Sequence, residues 1–331
     1  MTVQATGGLG SIGEEPVELR EPGPGEITVR IRANSLNYHD YLVVSGKMRL
    51  KSRRIPLSDG AGEIVAAGAA VGEFGLGDHV VSTFFPNWID GEPVVSNFSG
   101  TPGDGVDGYA REFVTAPASA FTRAPAGYSF AEAATLTTAG VTAWRALFVE
   151  GSVKPGDTVL VQGTGGVSVF ALQLAKAAGA RVIATSSSDE KLQRMRELGA
   201  DHALNYRSTP AWGKAALELT AGRGVDHVID VGGGATLEQS LIAARVAGRV
   251  TLVGILGGPT AAIPVPVVFA RQLRLTGLLV GSRRHQLDMV RGLEAAGIRP
   301  VIDRHFPLSA MAEAFAYQES QRHFGKIVLD V

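Results

Sequence analysis

The segment from Val159 to Leu192, VLVQGTGGVSVFALQLAKAAGARVIATSSSDEKL, constrains the fold more than any other part of the sequence. An apolar run typical of a buried strand is followed by a glycine turn, a helical pattern from Val167 to Ala178 and a second apolar run, RVIATS. This order predicts a β-α-β unit, in which a helix joins two parallel strands. Parallel strands occur almost only in sheets covered by helices on both faces, so an α/β domain is expected.

The glycine turn of this unit has the spacing of a dinucleotide-binding site. Gly163 allows the chain to reverse after the strand, and Gly165 allows the backbone to approach a pyrophosphate. Ser168 stands where the third glycine of G-x-G-x-x-G is usual, and serine is small enough for close helix packing. A turn that serves only backbone geometry is the alternative, but its position between strand and helix favours anion binding. We predict a Rossmann-type site whose turn comprises Gly163, Thr164, Gly165, Gly166 and Val167.

Serines replace the acidic residue that ends the second strand of most NAD sites. That acid lies about 20 residues beyond the glycines and accepts hydrogen bonds from the ribose hydroxyls. Ser186 occupies this place, and Ser186, Ser187 and Ser188 can donate hydrogen bonds to a 2′-phosphate while Lys191 supplies positive charge. The segment therefore predicts NADP(H). In the alternative interpretation, Ser187 and Glu190 form a capping box for the next helix and Lys191 is a solvated charge.

Length and pattern predict more than one domain. At 331 residues the chain exceeds the size of most single cores. Short β-rich runs alternate with glycine and proline turns from Glu26 to about Arg123, which is typical of a mostly antiparallel domain. Strands alternate with helices from about Ala131 to Ser282. We expect a substrate domain over 1–124, a Rossmann domain over 125–284, and a segment 285–331 whose last strand, GKIVLDV, returns to the substrate domain.

Composition excludes several classes of partner and site. The formal net charge is −1, without a run of basic residues, which argues against nucleic acid as a partner. The chain has no cysteine, which removes disulfides and thiolate metal sites. The apolar run from Val167 to Thr185 is interrupted by Lys176 and Arg181, so it is too short to span a membrane. Without a signal-peptide pattern, we expect a cytoplasmic protein.

Several further motifs follow one another along the chain: EPGPGEITVRIRANSLNYHD, LSDGAGEIVAAGAAVGEFGLGDHV, AATLTTAGVTAWRAL, LGADHALNYR and the closing GKIVL. Together with the glycine turn, and in family order, they resemble the medium-chain dehydrogenase/reductase superfamily, in particular its zinc-free quinone-reductase-like and alcohol-dehydrogenase-like branch. The resemblance implies an α/β protein with a doubly wound Rossmann domain and a mostly antiparallel, GroES-like substrate domain.

The same resemblance implies roles for several cofactor-binding residues. Quinone reductases of this family bind the 2′-phosphate through a serine, a lysine and a tyrosine whose places are taken here by Ser187, Lys191 and Tyr206. In relatives the threonine of GVT, here Thr142, lies near the nicotinamide. The backbone at the places of Gly254 and Ile255 reaches the carboxamide edge.

Zinc alcohol dehydrogenases of this superfamily carry two cysteines and a histidine at three ligand places. The resemblance maps these places to Asn37, Ser58 and Ala139, whose amide, hydroxyl and methyl groups cannot replace two thiolates and an imidazole. The four-cysteine structural lobe is also missing. Other potential ligands are scattered and are read as surface or hydrogen-bonded residues: His39, Asp40, Glu63 and His79. We therefore predict no metal site.

A site without zinc favours particular reactions. Hydride transfer to an isolated ketone builds alkoxide charge that something must stabilise, whereas addition to the β-carbon of an enone or quinone spreads the charge. We therefore predict an NADPH-dependent reductase of quinones or α,β-unsaturated carbonyls. The candidate catalytic residues are Asn37 as an amide donor, and Tyr38 and Tyr41 as ring walls or proton donors. Related quinone reductases tend to carry a tyrosine where this chain has Leu42.

Two other functions stay open at this point. A zinc-free NADP-dependent alcohol or aldehyde dehydrogenase would use the same cofactor site. An NADPH-binding sensor or structural protein would need no turnover, because fold alone does not establish catalysis.

Two further segments carry expectations about the surface. The aromatic stretch Phe84–Pro93 is either a lid that places Trp88 against a flat substrate or a packed loop. The run Leu273–Gly281 is apolar on both faces and is expected at a sheet edge. Unpaired edges of this kind invite a partner strand, so we predict a homodimer joined through it.

Overall fold

The computed structural model describes residues 1–331, which divide into two compact units. Unit 1 comprises Met1–Val141 and Val280–Val331, and unit 2 comprises Thr142–Leu279. The chain thus leaves unit 1 after Val141 and re-enters it at Val280, whereas the sequence suggested divisions after residues 124 and 284. No helix among these residues has both the length and the hydropathy needed to cross a bilayer.

Thirteen strands and ten α-helices form the two units. The strands are β1 (Glu26–Ser35), β2 (Asp59–Ala67), β3 (His79–Ser82), β4 (Phe113–Pro117), β5 (Phe121–Arg123), β6 (Thr158–Gln162), β7 (Arg181–Ser186), β8 (His202–Asn205), β9 (Val225–Asp230), β10 (Ala244–Leu252), β11 (Arg274–Gly277), β12 (Ile302–Pro307) and β13 (Lys326–Asp330). The helices are α1 (Tyr38–Val44), α2 (Phe130–Ala134), α3 (Val141–Trp144), α4 (Gly166–Ala177), α5 (Asp189–Glu197), α6 (Trp212–Leu219), α7 (Leu237–Ala243), α8 (Val265–Ala270), α9 (Arg283–Ala296) and α10 (Met311–Glu319).

Unit 2 is built on an all-parallel sheet of six strands. Their order is β11-β10-β9-β6-β7-β8, so the direction of winding reverses between β6 and β9. The central strands are apolar and fully buried because helices cover both faces, as at Leu160, Val228 and Val250. The predicted doubly wound α/β domain is confirmed. In sheets of this kind, ligands bind beyond the carboxyl ends of the strands at the point of reversal.

Unit 1 is built on a seven-stranded mixed sheet with the order β12-β13-β1-β2-β3-β5, and β4 also pairs with β1. Every pairing is antiparallel except that of β12 with β13, which confirms the mostly antiparallel character of this unit. The C-terminal strand lies beside β1, with Asn34 opposite Leu329. Because β13 begins at Lys326, this residue is carried to the turn between β1 and α1, where Leu36 N–H donates to the Ile327 carbonyl.

The edge strand of unit 2 is shorter than the apolar run Leu273–Gly281 suggested. Only Arg274–Gly277 forms a strand, paired with Arg249–Leu252 of β10. The partner strand β10 ends at Leu252, so the residues after Gly277 have no further strand to pair with. β11 has no neighbour on its other side and is therefore an open edge.

Candidate functional site

The glycine turn after β6 is shaped to receive a bulky group close to the backbone. Gly163 has φ +70°, a left-handed conformation that favours glycine, and a Cβ atom added there would meet no atom within 4 Å. Gly165 is the N-cap of α4, and the space beside it is equally open. The backbone at these two glycines, at the N-terminus of α4, is therefore uncrowded, which fits the close approach of the phosphate groups of a dinucleotide.

Close packing of α4 on β6 depends on the serine that replaces the third glycine. Ser168 is buried, and its hydroxyl donates to the Gln162 carbonyl at 2.5 Å. The next strand also holds the turn, because Gly163 N–H donates to the Thr185 carbonyl at 2.8 Å. The predicted turn residues 163–167 thus lie at the carboxyl end of β6, next to the point where the sheet reverses.

The end of β7 brings together residues predicted to hold a 2′-phosphate. Ser186 is buried, its hydroxyl accepts from Ser188 N–H at 3.3 Å, and its carbonyl accepts from Tyr206 N–H at 3.1 Å. Tyr206 follows β8 and is 42% exposed, so its ring lies at the surface beside the serines. Lys191 lies in the first turn of α5. Serines, lysine and tyrosine are therefore neighbours at one corner of the sheet.

The capping box proposed for Ser187 and Glu190 is wrong. The N-cap of α5 is Ser188, whose hydroxyl accepts from Lys191 N–H at 3.3 Å. The helix begins one residue later than the S-x-x-E pattern suggested. Because β7 continues to Ser186, Ser187 and Ser188 form the turn that connects it to α5 at Asp189. Ser187 is left half-buried and is not the capping residue.

The other predicted cofactor residues lie in separate parts of unit 2. Gly254 follows β10, and a Cβ atom there would lie 2.5 Å from the Val231 carbonyl, so the position requires glycine. Ile255 is 47% exposed beside it. These residues lie at the carboxyl ends of β9 and β10, on the same edge of the sheet as the glycine turn. Thr142 is buried in α3.

Unit 1 contains a set of hydrogen-bonded polar side chains that we call the polar cluster. Its members are Asn37, Asp40, Ser58, Asp59, Thr138 and Lys326. Thr138 is the member that is not buried. Four distant stretches of sequence meet here because α1, β2, a π-helical turn at Leu136–Gly140 and β13 converge.

Asn37 and Asp40 form the α1 end of the polar cluster. Asp40 Oδ2 accepts from the backbone N–H of Asn37 at 2.9 Å and from its side-chain Nδ2 at 3.1 Å. The second Nδ2 hydrogen points to the Ser35 carbonyl at 3.4 Å. Ser58 N–H donates to the other oxygen of Asp40 at 3.0 Å. Both amide hydrogens of Asn37 are thus engaged within the protein, which disfavours its expected role as a donor to a substrate oxygen.

Lys326 and Asp59 form the charged centre of the polar cluster. The Lys326 ammonium donates to the Leu36 carbonyl at 2.6 Å and to Asn37 Oδ1 at 2.5 Å, and lies 4.0 Å from Asp59 Oδ2. Burial raises the pKa of Asp59 to about 6, against the opposing charge of Lys326. Burial also lowers the pKa of Lys326, while Asp59 and Asp40 oppose that change. Neither residue was singled out as functional from the sequence, although LSDG and GKIVL contained them.

Asp59 accepts hydrogen bonds from two hydroxyl groups, one on the buried Ser58 and one on the partly exposed Thr138. Its Oδ1 accepts from Thr138 Oγ1 at 2.6 Å and from Ser58 Oγ at 2.9 Å, and the two hydroxyls lie 3.3 Å apart. Its Oδ2 is buried without a hydrogen-bond partner. Thr138, the neighbour of Ala139 in the π-helical turn Leu136–Gly140, is therefore a residue of this turn whose side chain contacts Ser58.

The residues at the three zinc places do not fit a zinc ion. Asn37 Oδ1 already accepts from an ammonium group, Ser58 offers a neutral hydroxyl that is bound to a carboxylate oxygen, and Ala139 offers only a methyl group. Tetrahedral zinc requires thiolate, imidazole or carboxylate ligands. Across residues 1–331, no group of three or more His, Cys, Asp or Glu side chains is arranged to hold a metal ion.

The two candidate tyrosines differ in their surroundings. Tyr38 begins α1 and is 38% exposed, with its ring centroid 5.9 Å from that of Tyr41. Tyr41 is buried in a hydrophobic cluster, and its hydroxyl donates to Glu319 and accepts from Lys47 Nζ at 3.1 Å. The hydrogen bond to Glu319 raises the pKa of Tyr41. These contacts favour a packing role for Tyr41, whereas Tyr38 is the more exposed of the two residues.

Trp88 is part of a packed loop. It is 1% exposed, and its indole N–H donates to the Gly91 carbonyl at 3.0 Å. Its ring packs edge-on against Phe98 and His285, with centroids 6.0 and 5.6 Å away. Of the two interpretations of Phe84–Pro93, this arrangement favours the packed loop, because a buried indole offers no face to a substrate.

Comparisons with known proteins match two segments of the chain to known families. Residues 23–126 match the family described as alcohol dehydrogenase GroES-like domain, and residues 166–294 match the family described as zinc-binding dehydrogenase. A zinc-type alcohol dehydrogenase-like protein from Schizosaccharomyces pombe is 43% identical over 96% of this chain and 95% of its own length. A chloroplast envelope quinone oxidoreductase homolog from Arabidopsis thaliana is 30% identical over 98% of this chain and 95% of its own.

A solved structure agrees with these sequence matches. A crystal structure of an NAD-dependent alcohol dehydrogenase superposes with a TM-score of 0.91 and 35% identity, over 100% of this chain and 98% of that one. The fold, the two family matches and the nearly full coverage of the relatives all agree with the resemblance that the sequence motifs indicated.

Proposed function

The chain belongs to the medium-chain dehydrogenase/reductase superfamily and is an oxidoreductase of that family, and from this premise we propose that it reduces quinones or α,β-unsaturated carbonyls with NADPH and without zinc. The arrangement that carries the proposal is the polar cluster. The groups around Asn37, Ser58 and Thr138 form a hydrogen-bonded network centred on Lys326 and Asp59 and offer no ligand set for a Lewis acid. Conjugated acceptors need such a Lewis acid least, because their negative charge is delocalised.

Preference for NADPH over NADH rests on the corner at the end of β7. Ser186 lies where a carboxylate would repel a 2′-phosphate, and Ser187, Lys191 and Tyr206 are close enough along β7, α5 and β8 to contribute donors and charge. When bound, NADPH supplies the hydride. The turn 163–167 would hold its pyrophosphate. Thr142, Gly254 and Ile255 are proposed to contact its nicotinamide end.

The chain's own side chains would orient the substrate and manage its proton. Tyr38 is our candidate for contact with the substrate from α1, because the residue is 38% exposed and carries a hydroxyl that can donate a hydrogen bond. Asn37 contributes by fixing the start of α1 through its hydrogen bonds to Asp40 and Lys326. Tyr41 supports the same helix from the core.

The decisive experiment measures NADPH oxidation by chelator-treated enzyme whose zinc content has been determined by mass spectrometry. We expect turnover with a simple benzoquinone or methyl vinyl ketone, unaffected by chelator, and slower turnover with NADH. Stoichiometric zinc that is required for activity, or NADH preferred over NADPH, would contradict the proposal.

A second candidate function is zinc-free alcohol or aldehyde oxidoreduction. It is favoured by the name of the 43% identical relative and by the NAD-dependent alcohol dehydrogenase that superposes on this chain. Alcohol-dependent reduction of NADP⁺ that persists after chelation, without activity on enones, would select it. A protein that binds NADPH but oxidises it with none of these substrates would instead be a sensor or structural protein.

We also propose that two copies associate through the open edge at β11. The adjoining helix α8 exposes Val265 at 62% and Phe269 at 68%, and Leu279 beyond β11 is 55% exposed. Apolar side chains beside an unpaired strand are typical of an interface between copies. Location in the cytoplasm stays a prediction from the sequence.

A further inference from the structure

The polar cluster has one end at the surface. Asn37, Asp40, Ser58, Asp59 and Lys326 are all buried, whereas Thr138 is partly exposed. Thr138 lies on a π-helical turn, a rare local structure that occurs often at functional sites. Thr138 is therefore the member of the polar cluster that lies nearest to solvent.

A continuous hydrogen-bonded path leads from the Thr138 hydroxyl to a buried carboxyl group. Thr138 Oγ1 lies 2.6 Å from Asp59 Oδ1, a short distance of the kind found when a hydroxyl bonds to a carboxylate. A hydroxyl can donate one proton while accepting another, so Thr138 can pass a proton without changing its own charge. The path therefore connects the surface to Asp59 in a single step.

Resting on the reductase function proposed above, we propose that Thr138 passes a proton from Asp59 to the substrate oxygen, and that Lys326 positions and stabilises the Asp59 carboxylate that remains. Bound NADPH would supply a hydride, with its electron pair, to the β-carbon, and the electrons of the conjugated system would then lie on the carbonyl oxygen. That oxygen takes the Thr138 proton, and Thr138 takes the proton of Asp59 Oδ1. Asp59 is left as a carboxylate and is later protonated again from solvent, so charge and atoms balance.

Lys326 suits this role because it is close to Asp59 without being bonded to it. Its ammonium is fixed by the Leu36 carbonyl and Asn37 Oδ1 and stays 4.0 Å from Asp59 Oδ2. That oxygen has no hydrogen-bond partner, so no direct hydrogen bond from the ammonium holds Asp59 in its charged state. A buried carboxylate without a nearby cation would be strongly disfavoured. Lys326 therefore acts through Asp59 and is a positioning residue.

The charged groups around Asp59 set the pH range in which it can hold a proton. Lys326 of β13 and Asp40 of α1 both act electrostatically on Asp59. Asp59 in turn acts on His39 of α1 and favours the charged form of that imidazole. Burial opposes the charge of His39, but its contact with Asp104 and the carboxylates of Asp40 and Asp59 outweigh this and raise its pKa. Asp59, with its pKa raised by burial to about 6, is partly protonated near neutral pH.

The principal test replaces Thr138 by valine, which keeps the shape and removes the hydroxyl. We expect Thr138→Val to lower kcat for enone or quinone reduction by about 100-fold or more, the usual contribution of a positioned acid, with an unchanged Kd for NADPH. Thr138→Ser should stay within a few-fold of the unmodified enzyme. Thr137→Val is the matched control, because Thr137 lies in the same turn but donates to the Ser82 carbonyl. Equal losses in both valine variants, or no loss in Thr138→Val, would overturn the relay.

A pH profile separates the relay from a structural effect. If Asp59 must be protonated, kcat of the unmodified enzyme falls as pH rises through the pKa of Asp59. Asp59→Asn should be slow and should lose this dependence, whereas a merely structural defect would lower kcat equally at every pH. Lys326→Arg keeps the charge and should retain more activity than Lys326→Met. A pH profile of Asp59→Asn with the same descending limb would refute the role of Asp59.

Infrared titration tests the same relay without any substrate. A protonated-carboxyl band should appear as pH falls through about 6 and be missing in Asp59→Asn. Thr138→Val should move its midpoint upward, because the hydroxyl's hydrogen bond lowers the pKa of Asp59. If the enzyme reduces no quinone or enone but this band behaves as expected, the proposed function fails and the proton path stands. If the enzyme turns over but the band is absent, the relay fails alone.

Discussion

At the scale of single residues, we propose that the side chain at the end of β7 decides which dinucleotide is favoured. Ser186 is buried at the corner where β7 meets β8, with its carbonyl bonded to Tyr206 N–H. The hydroxyl is neutral and can face a phosphate, whereas a carboxylate in the same place would face ribose hydroxyls. Cofactor preference should therefore respond to this position more than to any change of overall charge.

We predict that Ser186→Asp reverses part of the cofactor preference. The added carboxylate repels the 2′-phosphate and removes a donor, which costs about 1.5–3 kcal/mol and raises Kd for NADPH by about 10- to 100-fold. Kd for NADH should change little or fall. Fluorescence titration measures both constants. Ser96→Asp adds the same charge at an exposed position of unit 1 and should leave both unchanged; equal weakening of NADH and NADPH by Ser186→Asp would contradict the assignment.

The buried carboxyl of Asp59 should also make stability depend on pH. Its pKa in the folded protein is about 6, above the ordinary value of 3.8, so the folded state binds this proton more tightly than the unfolded state. The resulting stabilisation is complete below about pH 4 and is lost as pH rises through 6, by about 3 kcal/mol. Urea unfolding of Asp59→Asn should lose this slope. His39 also has a raised pKa, but its contribution is lost at higher pH, above 6.5. An unchanged slope in Asp59→Asn would refute the prediction.

At the scale of helices and strands, local patterns predicted the parts of the fold that depend on local interactions. The alternation around the glycine turn predicted β6, α4 and β7, because each of these elements has its own apolar periodicity. The cap of α5 was assigned one residue too early, since serines on both sides of the boundary satisfy the same pattern. The polar cluster was not predicted as a unit. Its Lys326–Asn37 contact joins residues 289 positions apart, which only the pairing of β13 with β1 brings together.

The observed cap of α5 allows the roles of two adjacent serines to be separated. Ser188→Ala removes the hydroxyl that accepts from Lys191 N–H and should lower the free energy of unfolding by about 1 kcal/mol. Ser187→Ala should change stability by less than about 0.5 kcal/mol but weaken NADPH binding, because we propose that this hydroxyl contacts the 2′-phosphate. Chemical denaturation and NADPH titration of both variants measure the two effects. The opposite assignment of effects would restore Ser187 as the cap.

At the scale of the whole molecule, the open edge of the unit 2 sheet predicts a dimer. If β11 and α8 form the interface, the protein in solution should have twice the 34.6 kDa mass of one chain. Val265→Glu places a charge on the exposed apolar surface of α8 and should shift the mass measured by light scattering toward that of one chain.

Val95→Glu is the matched control, since Val95 is 88% exposed in unit 1 and lies away from β11 in the sequence. NADPH binding by Val265→Glu should persist, because none of the residues proposed to bind it belongs to α8 or β11. A single-chain mass for the unmodified protein would exclude the dimer. A dimer that Val95→Glu disrupts and Val265→Glu does not would place the interface elsewhere.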